Sequence, residues 1–199
     1  MKRRPPNKPR KIGLLGGSFN PAHLGHKKMS LFALRALKLD EIWWLVSPQN
    51  PLKKSDDMAP LSTRLKQARK IGAHPKIKIK NLESQMGTRY SIDTITQIQK
   101  KFPNPQFIWL MGSDNLAGFD RWRKWRQIAR RIPIAIIKRQ PIGKASLKSE
   151  AAVALKKYRI TSKTDFAAQK PPAWTYLTGF ADKRSASRIR AKKPRKWWL

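Results

Sequence analysis

The sequence contains no cysteine, which excludes disulfide bonds and thiolate-ligated metal sites. It also has no apolar run that approaches the about 18 residues a transmembrane helix needs. The basic residues at the start of the chain are not followed by the apolar core of a secretory signal. These absences are compatible with a reducing compartment, so we expect a cytoplasmic protein.

Acidic residues are scarce: 11 aspartates and glutamates stand against 45 lysines and arginines, and the formal net charge is +34. Such a charge attracts polyanions, so nonspecific binding to RNA, nucleotides or anionic membrane surfaces is expected. The cations are spread along the chain as much as they are clustered. A general compositional bias toward lysine and arginine would give the same pattern, and the sequence leaves both explanations open.

Length and composition predict one main domain. The chain has 199 residues, of which 40% are hydrophobic, enough for a sizeable core. Residues 1–10 are basic and interrupted by prolines, and we predict a disordered arm there. Residues 11–191 are predicted to form the domain, and residues 192–199 a basic and aromatic tail. The sequence does not predict an oligomeric state.

Within this domain, apolar runs alternate with amphipathic stretches. After a first strand that begins near Lys11, further strands are predicted at Glu41–Ser47, Lys76–Leu82, Gln106–Met111, Ile132–Lys138 and Trp174–Gly179. Helices are predicted at Leu24–Leu39, Leu61–Gly72, Ser91–Lys101, Asp120–Arg130, Ser146–Tyr158 and Ser185–Ala191. This alternation predicts an α/β fold, in which a doubly wound, mostly parallel sheet carries helices on both faces.

The stretch Lys11 to His26, KIGLLGGSFNPAHLGH, combines an apolar strand, a glycine pair and two histidines. Pro21 is expected to open a helix, on which His23 and His26 would share one face. Helix N-termini and imidazoles suit a phosphate group. The glycines match neither a P-loop nor the GxGxxG spacing, so these residues alone do not identify the ligand. An ordinary strand–turn–helix with two surface histidines stays open.

Three motifs in order carry a family resemblance. GGSFNPAHLGH resembles the GG(T/S)FxPxHxGH signature of the nucleotidyltransferase superfamily, and RSASRIR near the end resembles its SSTxxR motif. Between them, MGSDNLAGFDRW resembles the GADxLxxxxxW segment of bacterial nicotinate-nucleotide adenylyltransferases. The resemblance runs from about Lys11 to Arg190. It implies a Rossmann-like fold and an enzyme of NAD biosynthesis that transfers AMP from ATP to nicotinate mononucleotide, releasing pyrophosphate. Mg²⁺ would be held by the ATP phosphates and not by a protein metal site.

The resemblance also implies which residues meet ATP. His23 and His26 would hold the triphosphate and, with Arg190, act on the transition state. Phosphate would meet the backbone of Gly16, Gly17, Ser18 and Phe19 together with the Ser18 hydroxyl. Ser185 and Ser187 would bind the β- and γ-phosphates, and Gly112 and Asp114 the ribose. Helix capping is the alternative for Asp114 and for both serines, and a solvated surface cation is the alternative for Arg190.

The mononucleotide is expected at other positions. Trp122 would stack on the nicotinate ring, Tyr90 and Ser91 would address its carboxylate, and Lys53 would meet its phosphate, with Lys54 an equal rival. The chain departs from the family pattern at Asn20, where aspartate is common, and at Ala186 and Ser187, where serine and threonine are usual. Core or surface packing is the alternative for Trp122.

The sequence leaves other functions open. Nicotinamide mononucleotide or a pantetheine phosphate could be the acceptor, although the Gly112–Trp122 segment favours nicotinate mononucleotide. In a different class, the chain could be a basic RNA-binding protein whose site is a relic. That hypothesis predicts binding that weakens steeply as salt is raised.

Overall fold

The computed structural model describes residues 8–48, 58–140, 143–161, 166–182 and 184–191. Its strands are Lys11–Gly17 (β1), Glu41–Val46 (β2), Ile77–Lys80 (β3), Gln106–Gly112 (β4), Ile134–Ile137 (β5) and Trp174–Leu177 (β6). Its helices are Leu24–Ala36 (α1), Leu61–Ile71 (α2), Leu82–Gln85 (α3), Ser91–Lys101 (α4), Ser113–Leu116 (α5), Trp125–Arg131 (α6), Glu150–Ala154 (α7) and Ala186–Ala191 (α8).

The strands form one sheet in the order β3-β2-β1-β4-β5-β6, and every neighbouring pair is parallel. The order turns back on itself between β1 and β4, so a crevice opens at the carboxyl ends of these two strands. The lysine-bearing strand β3 lies at an edge, as its alternating pattern predicts. The predicted α/β, Rossmann-like doubly wound fold is confirmed.

Adjacent tryptophans show how both faces of the sheet are covered. Trp43 and Trp44 follow one another in β2, so their side chains point to opposite faces. Trp43 packs in a core cluster with isoleucines of α4 and α6, whereas Trp44 packs in a second cluster with residues of α1 and α2. Helices on both faces therefore bury strands that are apolar along their whole length.

Two predicted helices are wrong as continuous elements. The stretch Asp120–Arg130 divides into a 3₁₀ turn, Phe119–Arg121, and the helix α6, which begins only at Trp125. Between them Lys124 adopts a φ of 53°, in the left-handed region. Both Trp122 and Trp125 pack against the same core cluster, and this tertiary packing overrides the helical pattern.

The predicted helix Ser146–Tyr158 is likewise divided. Only α7 is α-helical, and 3₁₀ segments at Gly143–Lys148 and Lys156–Tyr158 flank it. The Ser149 hydroxyl caps α7 by accepting from the amide of Ala152 at 3.4 Å. A serine in this position starts a new helix and does not continue an earlier one.

Several expectations fall outside the described residues. Residues 1–7 and 192–199 belong to this set, so the division into arm, domain and tail stays a prediction. The same holds for Lys53 and its rival Lys54, which fall in the segment 49–57. In the part of the chain that the structure describes, no helix is long and apolar enough to cross a membrane.

Candidate functional site

The glycine turn after β1 is fixed by close packing. A Cβ at Gly16 would lie 2.8 Å from the Trp109 ring of the neighbouring strand, so only glycine fits there. Phe19 has a φ of 45°, rare for a bulky residue, and its ring stacks on Trp44 at 4.9 Å between centroids. The Ser18 hydroxyl is buried and has no hydrogen-bond partner among the described residues. The turn thus holds its polar groups at the crevice.

His23 and His26 begin helix α1, although not as predicted. The helix starts at Leu24, so Pro21 lies outside it and His23 is the capping residue. The amide of Gly25 donates to Nδ1 of His23 at 3.1 Å, and the amide of His23 donates to Nδ1 of His26 at 3.2 Å. The two ring centroids are 3.9 Å apart. The histidines are adjacent because they cap one helix end, not because they share a helix face.

These two hydrogen bonds fix the tautomer of each ring. A backbone N–H can only donate, so both Nδ1 atoms accept, and a neutral imidazole then carries its proton on Nε2. Burial and, to a smaller extent, the charge of Arg139 lower the pKa of His23 to about 4, against the opposing effect of Asp182. His23 is therefore neutral at physiological pH and presents an N–H donor.

Helix α8 brings the arginine motif to the same place. The Arg190 guanidinium donates to the carbonyl oxygen of Asn20 at 2.6 Å, across 170 positions of sequence. The Ser185 hydroxyl accepts from the amide of Arg188 at 3.2 Å, so Ser185 caps the start of α8. Ser185 and Ser187 both line the same cavity as the histidines. A cation and two hydroxyls thus face the His23–His26 pair.

Gly112 ends β4 and Asp114 lies two residues further on, at the carboxyl end of that strand. A Cβ at Gly112 would lie 2.2 Å from Oδ1 of Asp114, so a side chain there would displace the carboxylate. Arg139, which comes just after β5, lies 3.4 Å from both Asp114 oxygens and donates to the carbonyl of Arg184 at 3.1 Å. The Asp114 carboxylate is therefore oriented by a cation, while 45% of its side chain stays exposed.

Aromatic rings form the other end of the cavity. Trp122 is half-buried and meets Trp109 edge-on at 6.3 Å and Phe119 at 5.4 Å between centroids. Tyr90 caps the start of α4, and the Arg123 guanidinium lies 4.5 Å from its ring centroid. Ser91 is the first residue of that helix. This end is built from ring faces with cations around them.

One cavity of about 570 Å³ joins all these groups. Every described residue that the sequence predicted for the site lines it: Gly16, Gly17, Ser18, Phe19, His23, His26, Tyr90, Ser91, Gly112, Asp114, Trp122, Ser185, Ser187 and Arg190. We call the part around His23, His26, Ser18 and Arg190 the histidine end. The part around Tyr90, Ser91 and Trp122 is the aromatic end.

Cavity residues that the sequence did not predict include Arg139, Glu83, Arg89, Arg121 and Arg123. Arg139 borders both the cavity and the space beside His23, and a cation directly after a buried strand was the signal that could have indicated it. Glu83 is also buried in the wall, where desolvation raises the pKa of its carboxyl to about 7 against the opposing hydrogen bond from Ser47. Nothing in the sequence around Glu83 distinguishes it from a surface acid.

The polar side chains of the cavity indicate whether a metal ion would be bound by the protein or by a ligand. The described residues contain no group of three or more histidine or acidic side chains that could hold a metal. The histidine end instead offers N–H donors, hydroxyls and guanidinium groups, which bind phosphate oxygens. This chemistry fits a metal ion that arrives already bound to a polyphosphate.

Comparisons with known proteins show the family to which this chain belongs. The model of the cytidylyltransferase-like family matches residues 14–192. A protein of Bradyrhizobium sp. (strain ORS 278), named probable nicotinate-nucleotide adenylyltransferase, is 47% identical over 182 residues, which are 90% of this chain and 95% of that one. A protein of the same name from Erythrobacter litoralis is 46% identical over 187 residues, or 92% and 85% of the two chains.

A solved structure shows the same fold. The nicotinic acid mononucleotide adenylyltransferase of Plasmodium falciparum, in complex with NaAD, superposes with a TM-score of 0.69 over 92% of this chain and 83% of that one, at 20% identity. By sequence the chain belongs to the cytidylyltransferase-like family and, within it, to the nicotinate-nucleotide adenylyltransferases.

Proposed function

We propose that this protein transfers the AMP part of ATP to nicotinate mononucleotide, forming nicotinate adenine dinucleotide and pyrophosphate. The observation that carries the proposal is the single cavity, whose histidine end suits a triphosphate and whose aromatic end suits a pyridine ring. The relatives named for this activity support it over nearly the whole chain.

The reaction needs positioning and charge neutralisation. An oxygen of the mononucleotide 5′-phosphate attacks the α-phosphorus of ATP in line, and the bond from that phosphorus to the bridging oxygen breaks as pyrophosphate leaves. No group of the protein has to bond covalently to the substrate. The Nε2–H donors of His23 and His26 and the Arg190 guanidinium would stabilise the negative charge that develops on the phosphates. Since His23 is neutral, it would act as a donor and not as an acid.

The other predicted residues have supporting roles in this proposal. The amides from Gly17 to Phe19 and the Ser18 hydroxyl would receive phosphate, with Ser185 and Ser187 on the β- and γ-phosphates. Asp114, beside Gly112, would accept from the ribose hydroxyls. Mg²⁺ would enter with ATP, held by its phosphates, and would neutralise part of their charge. Lys53 or Lys54 would meet the phosphate of the acceptor.

Cations at the aromatic end favour the acid over the amide. Trp122 would stack on the nicotinate ring, and Tyr90 and Ser91 would lie near its carboxylate. Arg123 lies 4.5 Å and Arg89 5.8 Å from the Tyr90 ring centroid, and both line the cavity together with Arg121. These cations would attract the carboxylate of a nicotinate ring and give no such advantage to the uncharged carboxamide of a nicotinamide ring.

The test is pyrophosphate release from ATP, with nicotinate mononucleotide and nicotinamide mononucleotide compared side by side at equal concentration. We expect kcat/KM to be higher for the acid, because only the acid brings a carboxylate to the arginines. No turnover with either acceptor would overturn the enzymatic function. Faster turnover with the amide would overturn the choice of acceptor.

Two finer points belong to the same proposal. ATP is a cytoplasmic substrate, and we place the reaction in the cytoplasm. The net charge of +34 would also give nonspecific binding to polyanions such as RNA. That binding would fall by decades between low and moderate salt, whereas binding in the cavity would be much less affected. A salt titration separates the two.

A further inference from the structure

Arg64 on helix α2 is buried, with 1% of its surface exposed, although it is a cation in a chain rich in exposed ones. Its guanidinium makes four hydrogen bonds to carbonyl oxygens: Nε to Ala59 at 2.8 Å, one terminal nitrogen to Ser18 at 2.8 Å and Ser47 at 2.6 Å, and the other to Pro48 at 2.7 Å. A buried charge is tolerated only when its donors are satisfied in this way.

These carbonyl groups belong to three different segments of the chain. Ser18 follows β1, Ser47 and Pro48 follow β2, and Ala59 precedes α2. Ser47 and Gly17 also share a backbone hydrogen bond of 3.0 Å, the last link between the two strands. Beyond that link, one nitrogen of Arg64 bonds both the Ser18 and the Ser47 carbonyl, and so fixes the separation of the two strand ends.

A chain of hydrogen bonds continues from Arg64 to the histidine end. Ala59 accepts from Arg64 through its carbonyl, and its amide donates to Oδ1 of Asn20 at 3.2 Å. The carbonyl of Asn20 in turn accepts from Arg190 at 2.6 Å. Arg64 therefore holds the glycine turn directly at Ser18 and reaches the Arg190 guanidinium through Ala59 and Asn20.

We propose that Arg64 is a positioning residue for adenylyl transfer, which sets the place of Ser18 and, through Ala59 and Asn20, of Arg190 around the triphosphate. This inference rests on the proposed function, since it assigns the triphosphate to the histidine end. A guanidinium suits the task because its planar, fixed set of N–H groups fits several carbonyl oxygens at once. A lysine would keep the charge but lose this geometry.

The test is a double-mutant cycle on the affinity for a non-hydrolysable ATP analogue with Mg²⁺, measured by calorimetry. The single variants are Arg64→Lys and Arg190→Lys, each expected to raise the Kd by ~10-fold. If Arg64 acts through Arg190, the double variant loses clearly less than the ~100-fold product, because coupled residues are not additive. Arg69→Lys, an exposed cation on the same helix, is the matched control and should bind as the unaltered protein does.

Two results would overturn the inference: a folded Arg64→Lys variant with unchanged affinity, or losses that multiply to ~100-fold, as independent sites give. If Arg64→Lys does not fold, two variants of Asn20 provide the test instead. Asn20→Ala removes the acceptor for the Ala59 amide and should weaken analogue binding, whereas Asn20→Asp keeps an acceptor and should bind more tightly than the alanine variant. Equal affinity of these two variants would contradict the network.

The proposed function would be refuted by a different result. It fails if the unaltered protein releases no pyrophosphate with either mononucleotide. The cycle reads analogue binding and not turnover, so its outcome remains interpretable for Arg64 in that case.

Discussion

The two ends of the cavity are held by different forces. At the histidine end, directional hydrogen bonds fix each group: backbone amides orient both imidazoles, and Asn20 and Arg64 connect the glycine turn to Arg190. At the aromatic end, Trp122 is placed by packing against other rings and Tyr90 by packing against the core, with cationic side chains around them. Charge stabilisation depends on the direction of donors, whereas a ring is bound mainly by contact area. The comparison therefore predicts that substitutions at the histidine end mainly lower kcat. Substitutions at the aromatic end should mainly raise KM for the mononucleotide.

The largest effect is expected from His26→Ala. This change removes one Nε2–H donor and also the Nδ1 atom that accepts from the His23 amide, so kcat should fall by at least ~10²-fold. Steady-state pyrophosphate release measures it, and thermal melting checks that the variant folds. His74→Ala is the matched control, because His74 lies between α2 and β3 and does not line the cavity. A near-normal kcat in His26→Ala would refute the assignment.

A smaller effect is expected from Trp122→Ala. Stacking of a pyridinium on an indole is worth ~0.5–2 kcal/mol, so KM for the mononucleotide should rise by ~10-fold while kcat changes little. Trp122→Phe keeps a ring and should lose less. If instead kcat falls and KM stays constant, the aromatic end takes part in the chemical step and the contrast between the two ends breaks down.

The smallest effect is expected on stability and not on a rate, and it comes from the lowered pKa of His23. Because burial lowers the pKa of His23 from 6.5 to about 4, its ring should stay neutral down to about pH 5 in the substrate-free protein. The unfolded chain binds this proton more readily than the folded one. His23 therefore contributes stability that is present above pH 6.5 and lost as the pH falls toward 4. NMR titration of the histidine ring protons measures this, with His23→Asn used to assign the signal. A midpoint near 6.5 would show that the ring is not desolvated.

The sequence predicts the strands better than the helices, and the reason is physical. Strands of a parallel sheet are buried on both faces and appear as continuous apolar runs, so Gln106–Met111 was predicted to within one residue of β4. The division near Trp122 was not predictable, since it depends on what that ring packs against. Strand order depends on contacts far apart in sequence, and the pattern of any one strand does not contain it.

The sequence indicated the residues of the candidate site where motifs carry them and not elsewhere. His23, His26 and Arg190 were predicted from the resemblance of their motifs to a family signature, although the cap geometry that sets the imidazole tautomers was not. Arg64 is the clearest case of a residue that sequence could not reveal. In a chain with 45 lysines and arginines, nothing local distinguishes a buried guanidinium from the exposed Arg69 on the same helix.

The contact between Arg190 and Asn20 also has a consequence for how ATP affects the stability of the folded protein. The two residues are 170 positions apart in sequence. A nucleotide that contacts both segments can therefore bind the folded protein and not the unfolded chain. By mass action, ATP at ~100 times its Kd would add about 2.7 kcal/mol to the free energy of unfolding. Substrate supply would then govern turnover of the protein itself, since depletion of ATP enlarges the unfolded population on which proteases act.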